Sequence, residues 1–502
     1  MFRLNYDLPS SKPKQWVGLK LIGGYLGVTV FFVGLFCLAP LLVLPFYPEE
    51  AVYAKYFIVP GALSMLFGYL LSFLLKNVSM RQLEKHQDTF LVLLVWIIAI
   101  FICAMPFWLT GDYNLVQSLF ESTSGFTTTG LSVVDVVTAP HIFLLHRSLM
   151  LFLGGVGLIL VFTSVLSDRY GMRLYTSEGH NDKLLPNLVK SARLILVIYV
   201  FYIVSGIILY VIFGMPLFDA INHSIASVST GGFSTEALSI GAYDSVAIEI
   251  VTIVLMLLGS TNFFVHYYLI KRNFKTAVKH SEIKFLVILT LLFLPILVFV
   301  MMRTSDYTIW ESIRIGTFQY VSAITTTGFQ NVSTFASLPI IFNAFMILLM
   351  LIGAGIGSTG GGIKQQRVLI AVKSIFWNIR DHLNNKRLIN TNSIYKAGQK
   401  VLIDGKEQID TYSFILIYLI IFAIGSGIFM AYGYPVLDSM FEFASSLGTV
   451  GLSMGITSYS APAMILWTSI FGMFLGRLEI YIVLIAIFKG VSSLSKRVIN
   501  VE

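Results

Sequence analysis

The sequence predicts an all-α integral membrane protein. Four units, each with the plan span, half-helix, loop, span, surround one pore, and a two-helix hairpin precedes them. Three observations carry that prediction. Hydrophobic residues make up 56% of the 502-residue chain and charged residues only 12%, roughly half the charged share of a soluble domain. Apolar runs of about 20 residues, the length that crosses a bilayer, recur along the chain. One short stretch rich in Thr, Ser and Gly is written four times.

Residues 19–46 and 54–76 read as the first pair of spans, joined by the acidic turn Tyr47-Pro48-Glu49-Glu50. Basic Arg3, Lys12, Lys14 and Lys20 place the N-terminus in the cytoplasm by the positive-inside rule, so the turn lies outside and the loop Lys76 to His86 returns to the cytoplasm. No cleavable leader is read into the start, because a polar, basic Met1–Lys20 runs into a full-length apolar span. Residues 1–89 are therefore expected to be an accessory segment and hairpin. Pore units follow at 90–192, 193–283, 284–411 and 412–502. Their spans cover about 90–166, 193–270, 284–376 and 412–488. Each half-helix, for example Leu217–Ser227 or Ser439–Ser446, is too short to span and reads as re-entrant, which requires protein or water to cover its freed backbone groups.

Charge supports a count of ten spans. Arg169, Arg173, Lys183, Lys190 and Arg193 fall between units one and two, and Lys271, Arg272, Lys275, Lys279 and Lys284 between units two and three. The third loop carries Lys364, Arg367, Lys386 and Arg387, and Lys489, Lys496 and Arg497 close the chain. All lie on the assigned cytoplasmic side, so the formal charge of +8 is a topology signal rather than a nucleic-acid footprint. Asp112, Asp219, Asp244, Asp306, Glu311 and Asp438 lie on the other side. There they either raise the local cation concentration or, as with Asp219 and Asp438, cap the half-helices.

The four copies contain Thr128-Thr129-Gly130, Ser229-Thr230-Gly231, Thr326-Thr327-Gly328 and Thr449-Val450-Gly451. Aligned without gaps on those glycines, each has a hydroxyl residue two places before, a β-branched residue one place before, and a small residue five places before (Gly125, Ala226, Ala323, Ser446). Ten places before stands a large apolar residue: Phe120, Ile221, Phe318 or Phe441. A T-x-G segment with a β-branched centre holds an extended backbone whose carbonyls face one way, and glycine supplies the φ values this needs. Four such segments around an axis would replace a cation's water shell with oxygens. The half-helix C-termini, each carrying roughly −0.5 charge, would point at the same axis.

Two more features stand below these loops. Gly353-Ala-Gly355-Ile-Gly357-Ser358-Thr359-Gly360-Gly361-Gly362-Ile-Lys364 breaks the last span of unit three, because glycine costs about 1 kcal/mol per residue in a helix. Ile363 separates the glycines from Lys364, so this is no phosphate-binding loop. Its position below the filter loops reads as a gate, with a close-packed helix kink as the alternative. In unit four, Arg477 and Glu479 interrupt an apolar run, and intramembrane charges face partners or water-filled paths. Glu479 would pair with Arg477 locally or with another unit. An arginine about 6 Å from a pore ion repels it by roughly 2.8 kcal/mol at an effective dielectric near 20, which reads as a barrier. The alternative is a structural salt bridge.

Other chemistry is weak. Cys37 and Cys103 both lie in apolar spans, suggesting neither a disulfide framework nor a metal site. The histidines lack metal-ligand spacing. His223 adjoins Ser224, but no acid is placed to orient it, which leaves a membrane-embedded enzyme as a remote second class.

With these residues the chain resembles the Trk/Ktr/HKT superfamily of potassium transporters, in particular its bacterial Trk potassium-uptake membrane subunits. The likeness covers nearly the whole chain. It rests on the four loops, Gly154-Gly-Val-Gly157, Asp182-Lys-Leu-Leu-Pro186, Gly357-Ser-Thr-Gly-Gly-Gly-Ile-Lys364 and Leu475-Gly-Arg-Leu-Glu-Ile480, and the hairpin 19–76 looks like the Trk branch. The resemblance implies a homodimer in the bacterial inner (plasma) membrane, each subunit with a pseudo-fourfold pore. It assigns K+ binding to the twelve filter residues given above, gating to residues 353–364 and a pore arginine to Arg477. Glycine at all four filter positions favours potassium over sodium. It also implies a cytosolic nucleotide-binding regulatory ring, which the basic loops would dock, although lipid attraction accounts for the same charges. The loops Val-Ser-Thr-Gly and Gly-Thr-Val-Gly depart from Thr-Thr-Thr-Gly, so the four walls differ. The expected function is potassium uptake through a gated, K+-selective filter with no cofactor and K+ at the filter as the only metal. Na+- or H+-coupled symport is the alternative within transport.

Overall fold

The computed structural model describes residues 15–75, 87–157, 188–384, 391–396 and 398–488. The basic N-terminus, the loop 76–86, the Asp182–Pro186 motif and the basic tail lie outside the described residues, as do Arg169, Arg173, Lys183, Lys386 and Arg387.

The chain opens with α1 (Gln15–Cys37) and α2 (Ala54–Leu74), an antiparallel pair packed backbone to backbone. At Gly27, Gly34 and Gly68 an added Cβ would come within 3.0 Å of the other helix's main chain. Small residues are what allow such an approach in lipid, where packing rather than water exclusion drives association. The pair docks on α3 (Gln87–Thr110) and α5 (His141–Val156) around Phe57, Trp96, Phe107 and Phe143, with Cys37 and Cys103 buried in the same cluster. Glu50, from the predicted outer turn, accepts hydrogen bonds from the backbone N–H groups of His141 (2.7 Å) and Ile142 (2.8 Å). It thereby satisfies two orphan donors at the start of α5. Tyr47 stacks on His141 with ring centroids 3.7 Å apart.

Four segments then share one order: a long helix, a short helix, a loop and a second helix. The first comprises α3, α4 (Leu115–Phe126) and α5. The second comprises α6 (Leu188–Ile212), α7 (Leu217–Val228), α8 (Val246–Ser260) and α9 (Phe263–Ile270). After the short α10 (Phe274–Lys279), the third comprises α11 (Ser281–Thr304), α12 (Ile309–Ile324), α13 (Ile340–Ile352) and α14 (Gln365–Leu383). The fourth comprises α15 (Gly405–Ala431), α16 (Val436–Gly448), α17 (Ala463–Arg477) and α18 (Ile480–Phe488).

The half-helices start in the way their sequences dictate. Asn114 caps α4 and Thr308 caps α12, each in a reciprocal capping box with the third residue on, Gln117 and Glu311. Pro216 and Pro435 precede α7 and α16 without a side-chain cap; Asp219 and Asp438 stand in the first turn instead, where the positive end of the helix dipole favours an anion.

The second helix of every segment is short: 16, 15, 13 and 15 residues for α5, α8, α13 and α17. At 1.5 Å per residue that is roughly 20–24 Å, less than the ~30 Å hydrocarbon core. The sequence predicts a break only in the third segment. The structure also breaks the second between α8 and α9, which meet at 107°, and the fourth between α17 and α18, at 101°. Among the described residues, six helices are long and apolar enough to cross a membrane, and the two bent pairs bring the number to eight. A count of ten would need α5 and α13 completed by the chain beyond them.

A β-hairpin absent from the sequence reading, β1 (Ser393–Lys396) with β2 (Gln399–Leu402), lies between α14 and α15. It is fastened to the start of α11 by the Tyr395 N–H donating to Ser281 Oγ at 2.8 Å.

Candidate functional site

The C-terminal turns of the four short helices are buried, and the helices end alike. Each runs into a threonine with left-handed backbone, Thr128 (φ 53°), Thr230 (52°), Thr326 (55°) and Thr449 (50°). Two residues on comes a glycine of positive φ: Gly130 (92°), Gly232 (62°), Gly328 (87°) and Gly451 (103°). Between them, the N–H of the middle residue bonds back five residues: Thr129 to Ser124, Gly231 to Ala226 and Thr327 to Ser322 at 2.9 Å, and Val450 to Ser445 at 2.8 Å. This is a Schellman ending in which threonine takes the position glycine usually holds. A β-branched residue there is strained, and such strain collects at functional sites.

The torsions correct the ungapped alignment in its second copy. Thr230-Gly231-Gly232, not Ser229-Thr230-Gly231, matches Thr128-Thr129-Gly130, and Ser229 takes the place of Thr127. The signal was present in the sequence. The shift puts Phe233 in line with Leu131, Phe329 and Leu452, all buried, and Ser224 in line with Ser122. Those two serines make the same bond, to the carbonyls of Ile203 and Ile100, each at 2.7 Å. A Cβ added at Gly231 would meet the Leu151 side chain.

The four loops close on themselves. A Cβ added to Gly130 would meet the carbonyl oxygen of Gly231; at Gly232 it would meet that of Thr327, at Gly328 that of Val450, and at Gly451 that of Thr129. The fourth loop thus returns to the first, and the chain between threonine and glycine lines a ring. On its outer side, Thr129 and Thr327 are braced by Thr127 and Thr325, with Oγ1 atoms 2.8 Å apart in both pairs.

Directly under this ring runs the glycine-rich break between α13 and α14. Gly353 and Gly362 hold left-handed backbone and pack face to face, and Ala354 N–H bonds to Gly361 O (3.1 Å). The ends of the loop are held by the second segment and by α11. Gly355 N–H donates to Ser260 O (3.1 Å), Thr359 N–H to Gly259 O (3.1 Å) and Phe263 N–H to Gly357 O (3.2 Å). Ile356 N–H donates to Glu282 Oε1 (2.8 Å). Its middle reaches the ring itself: Gly361 N–H donates to Thr326 Oγ1 at 2.8 Å, and the Thr359 and Thr230 hydroxyls are 3.1 Å apart. Arg477 donates to the carbonyls of Thr359, Gly154 and Gly155, tying the fourth segment to this loop and to the end of α5. Glu479 pairs across segments with Arg367 of α14 at 2.7 Å, the second of the two pairings the sequence left open. Lys364, also of positive φ (83°), folds its Nζ back to Gly360 O.

The sequence profile of the TrkH family, described as cation transport proteins, matches residues 54–493. The chain belongs to the TrkH family. Among relatives, the Trk system potassium uptake protein TrkG of Escherichia coli K12 is 31% identical over 485 residues, covering 94% of this chain and 98% of its own. An uncharacterized cation transporter of Methanocaldococcus jannaschii is 29% identical, with coverages of 93% and 94%. The crystal structure of the potassium transporter TrkH from Vibrio parahaemolyticus superposes with a TM-score of 0.80 at 24% identity over 94% of this chain and 98% of that one. That likeness shows the fold. As a TrkH-family protein the chain is a multi-pass membrane transporter of ions, not an enzyme, and works without a cofactor.

Sequence reasoning missed a set of polar residues behind the ring of this TrkH-family chain. Nine places before the four ring glycines, in the corrected register, stand Glu121, His223, Gln319 and Glu442, none with measurable exposure. Each bonds to the chain leaving its loop: Ser132 to Glu121 (2.9 Å), Ser234 with His223 (2.9 Å), Gln319 to Asn331 (3.0 Å) and Ser453 to Glu442 (2.7 Å). His223, weighed above beside a nucleophile, is thus a brace. Glu121 is paired with the buried Arg147 at 2.7 Å, whose guanidinium also covers Phe233 (4.0 Å) and donates to Ser234 O (3.1 Å) in the next loop. Asn331 passes the tie on to Glu249, which also holds Arg314 at 3.0 Å. Glu442 instead accepts from Met454 N–H (2.7 Å) and Thr457 N–H (3.0 Å), besides the Thr457 hydroxyl. Aligning on the shifted glycine would have revealed all four.

Proposed function

We propose that the chain takes up potassium through a gated, K+-selective pore formed by four pseudo-repeated units in ten spans, behind an accessory hairpin. The observation that supports this best is the closed ring of loops, in which each ring glycine packs against a carbonyl of the next loop. Main-chain oxygens of Thr128–Gly130, Thr230–Gly232, Thr326–Gly328 and Thr449–Gly451 would stand in for the hydration shell of the cation. A relative named for potassium uptake, similar along almost its whole length, supports K+ as the ion.

In this reading the loop Gly353–Lys364 is the gate, drawn closed beneath the ring, and Arg477 is both its latch and a positive barrier below the filter. Transport is passive. A membrane potential of 100 mV, negative inside, supplies about 2.3 kcal/mol per ion. Assembly as a homodimer in the bacterial inner membrane and control by a cytosolic nucleotide-binding ring complete the proposal. Rubidium uptake into liposomes holding the purified protein, competed with K+, Na+ and Li+, tests it. Uptake set by the K+ gradient alone and blocked by K+ before Na+ or Li+ supports a selective passive pore. Uptake that requires a Na+ or H+ gradient would identify a coupled symporter, and background flux would reject both.

A further inference from the structure

The ring and the loop beneath it share atoms. Thr128, Thr230, Thr326 and Thr449 occupy the same backbone position at the inner edge of the ring, and all four are fully buried. Thr326 Oγ1 accepts the N–H of Gly361 at 2.8 Å. Thr230 Oγ1 faces the Thr359 hydroxyl at 3.1 Å. Thr449 Oγ1 lies where a Cβ on Gly361 would collide with it. The hydroxyl oxygens of Thr128 and Thr449 are buried with no hydrogen-bond partner, an uncommon state for a buried polar atom that calls for an explanation.

We infer that the gate loop and a K+ ion at the inner end of the filter compete for the four threonine hydroxyls. The inference rests on the pore reading above. A hydroxyl oxygen whose lone pair accepts the Gly361 N–H is a poorer ligand for a cation, and an ion seated there would press against a positively polarised N–H. The closed loop therefore excludes the ion from its own threonines, and an ion that arrives through the filter from outside favours the open loop. A ligand that binds one of two states shifts the balance only by its preference for that state. Here the preference is built into the ligands. Glycine at 360 and 361 follows from the same contact, because a side chain at either position would strike Thr326 or Thr449.

The test is single-channel recording of the full-length protein in planar bilayers, with K+ raised on the outer side and ionic strength held constant by a large impermeant cation. The open-to-closed ratio should rise with external K+, approaching proportionality, a logarithmic slope of about one, once the site saturates in the open state. Thr326→Val removes the acceptor of Gly361 N–H and one ion ligand together. It should raise the ratio at low K+ by about 5- to 150-fold, the range for one buried donor left unsatisfied, and flatten the K+ dependence. Thr326→Ser keeps the hydroxyl and should restore both. Wild-type currents whose open fraction ignores external K+ would overturn the competition and leave the pore reading standing. A Thr326→Val variant that conducts with wild-type K+ dependence would do the same. Absence of any cation current from wild-type protein would overturn both.

Discussion

The ring and the glycine-rich loop beneath it, proposed above as a gate, are both irregular backbone deep in a membrane protein, yet they are held in opposite ways. Each ring loop is fixed first by its own half-helix, through the five-residue return bond, and then by a buried brace such as Glu121 or Glu442 on the same segment. Irregular chain in a bilayer needs its freed N–H groups satisfied, and the return bonds of the ring do this within each loop. The gate loop borrows its partners: Ser260 and Gly259 from the second segment, Glu282 from α11, Thr326 from the ring and Arg477 from the fourth segment. Removing the ring's bonds means undoing a helix end, whereas these bonds of the loop run to residues of other elements. One region is held by its own segment and the other by its neighbours.

Substitutions can break or sharpen that contrast. The largest effect is expected inside the ring. Gly328→Ala would set a Cβ on the Val450 carbonyl at a residue of φ 87°, so K+ flux in liposomes should fall by tenfold or more while the purified protein keeps its helical circular dichroism. The brace comes next, and it should act on stability. Glu121→Gln leaves the Arg147 guanidinium, 2% exposed, without its carboxylate. Breaking a buried pair in this way costs about 3–5 kcal/mol, so the thermal unfolding midpoint in detergent should drop.

Changes to the gate should do the reverse and raise flux without destabilising the fold. Arg477→Ala removes charge-assisted bonds to Thr359, Gly154 and Gly155. At about 1.5–3 kcal/mol for hydrogen bonds to a charged group, the open fraction should rise about 10- to 150-fold. Unchanged flux with normal expression would return Arg477 to a packing role. Glu282→Gln keeps the shape but weakens the acceptor of Ile356 N–H. It should raise the open fraction only a few-fold, read as rubidium uptake at fixed K+. A gate variant that unfolds the protein, or a ring variant that only speeds flux, would erase the distinction.

The sequence revealed more of the ring than of its supports. Hydroxyl and glycine at fixed spacing were legible four times over because every copy faces the same local demand. The second copy misled because two successive glycines offered two alignments, and only the left-handed turn at Thr230 decided between them. Breaks between α8 and α9 and between α17 and α18 were hidden, since Ser260-Thr261-Asn262 and Leu478-Glu479 carry no glycine run. The polar residues behind the ring, Glu121 and His223 among them, gave no signal until their partners eleven or twelve places on came into contact.

Composition and repetition alone therefore determined that the chain is helical and membrane-embedded, that it carries four loops of one design, and where its weakest span lies. These are properties of single segments, set by hydropathy, helix propensity and backbone freedom. Tertiary structure alone decided which glycine closes each wall, that Glu479 meets Arg367 rather than Arg477, and that the glycine-rich loop rests on the threonines of the ring. Those choices join residues dozens to hundreds of positions apart. Local physics cannot select such partners, because only the packed assembly brings a donor within reach of its acceptor.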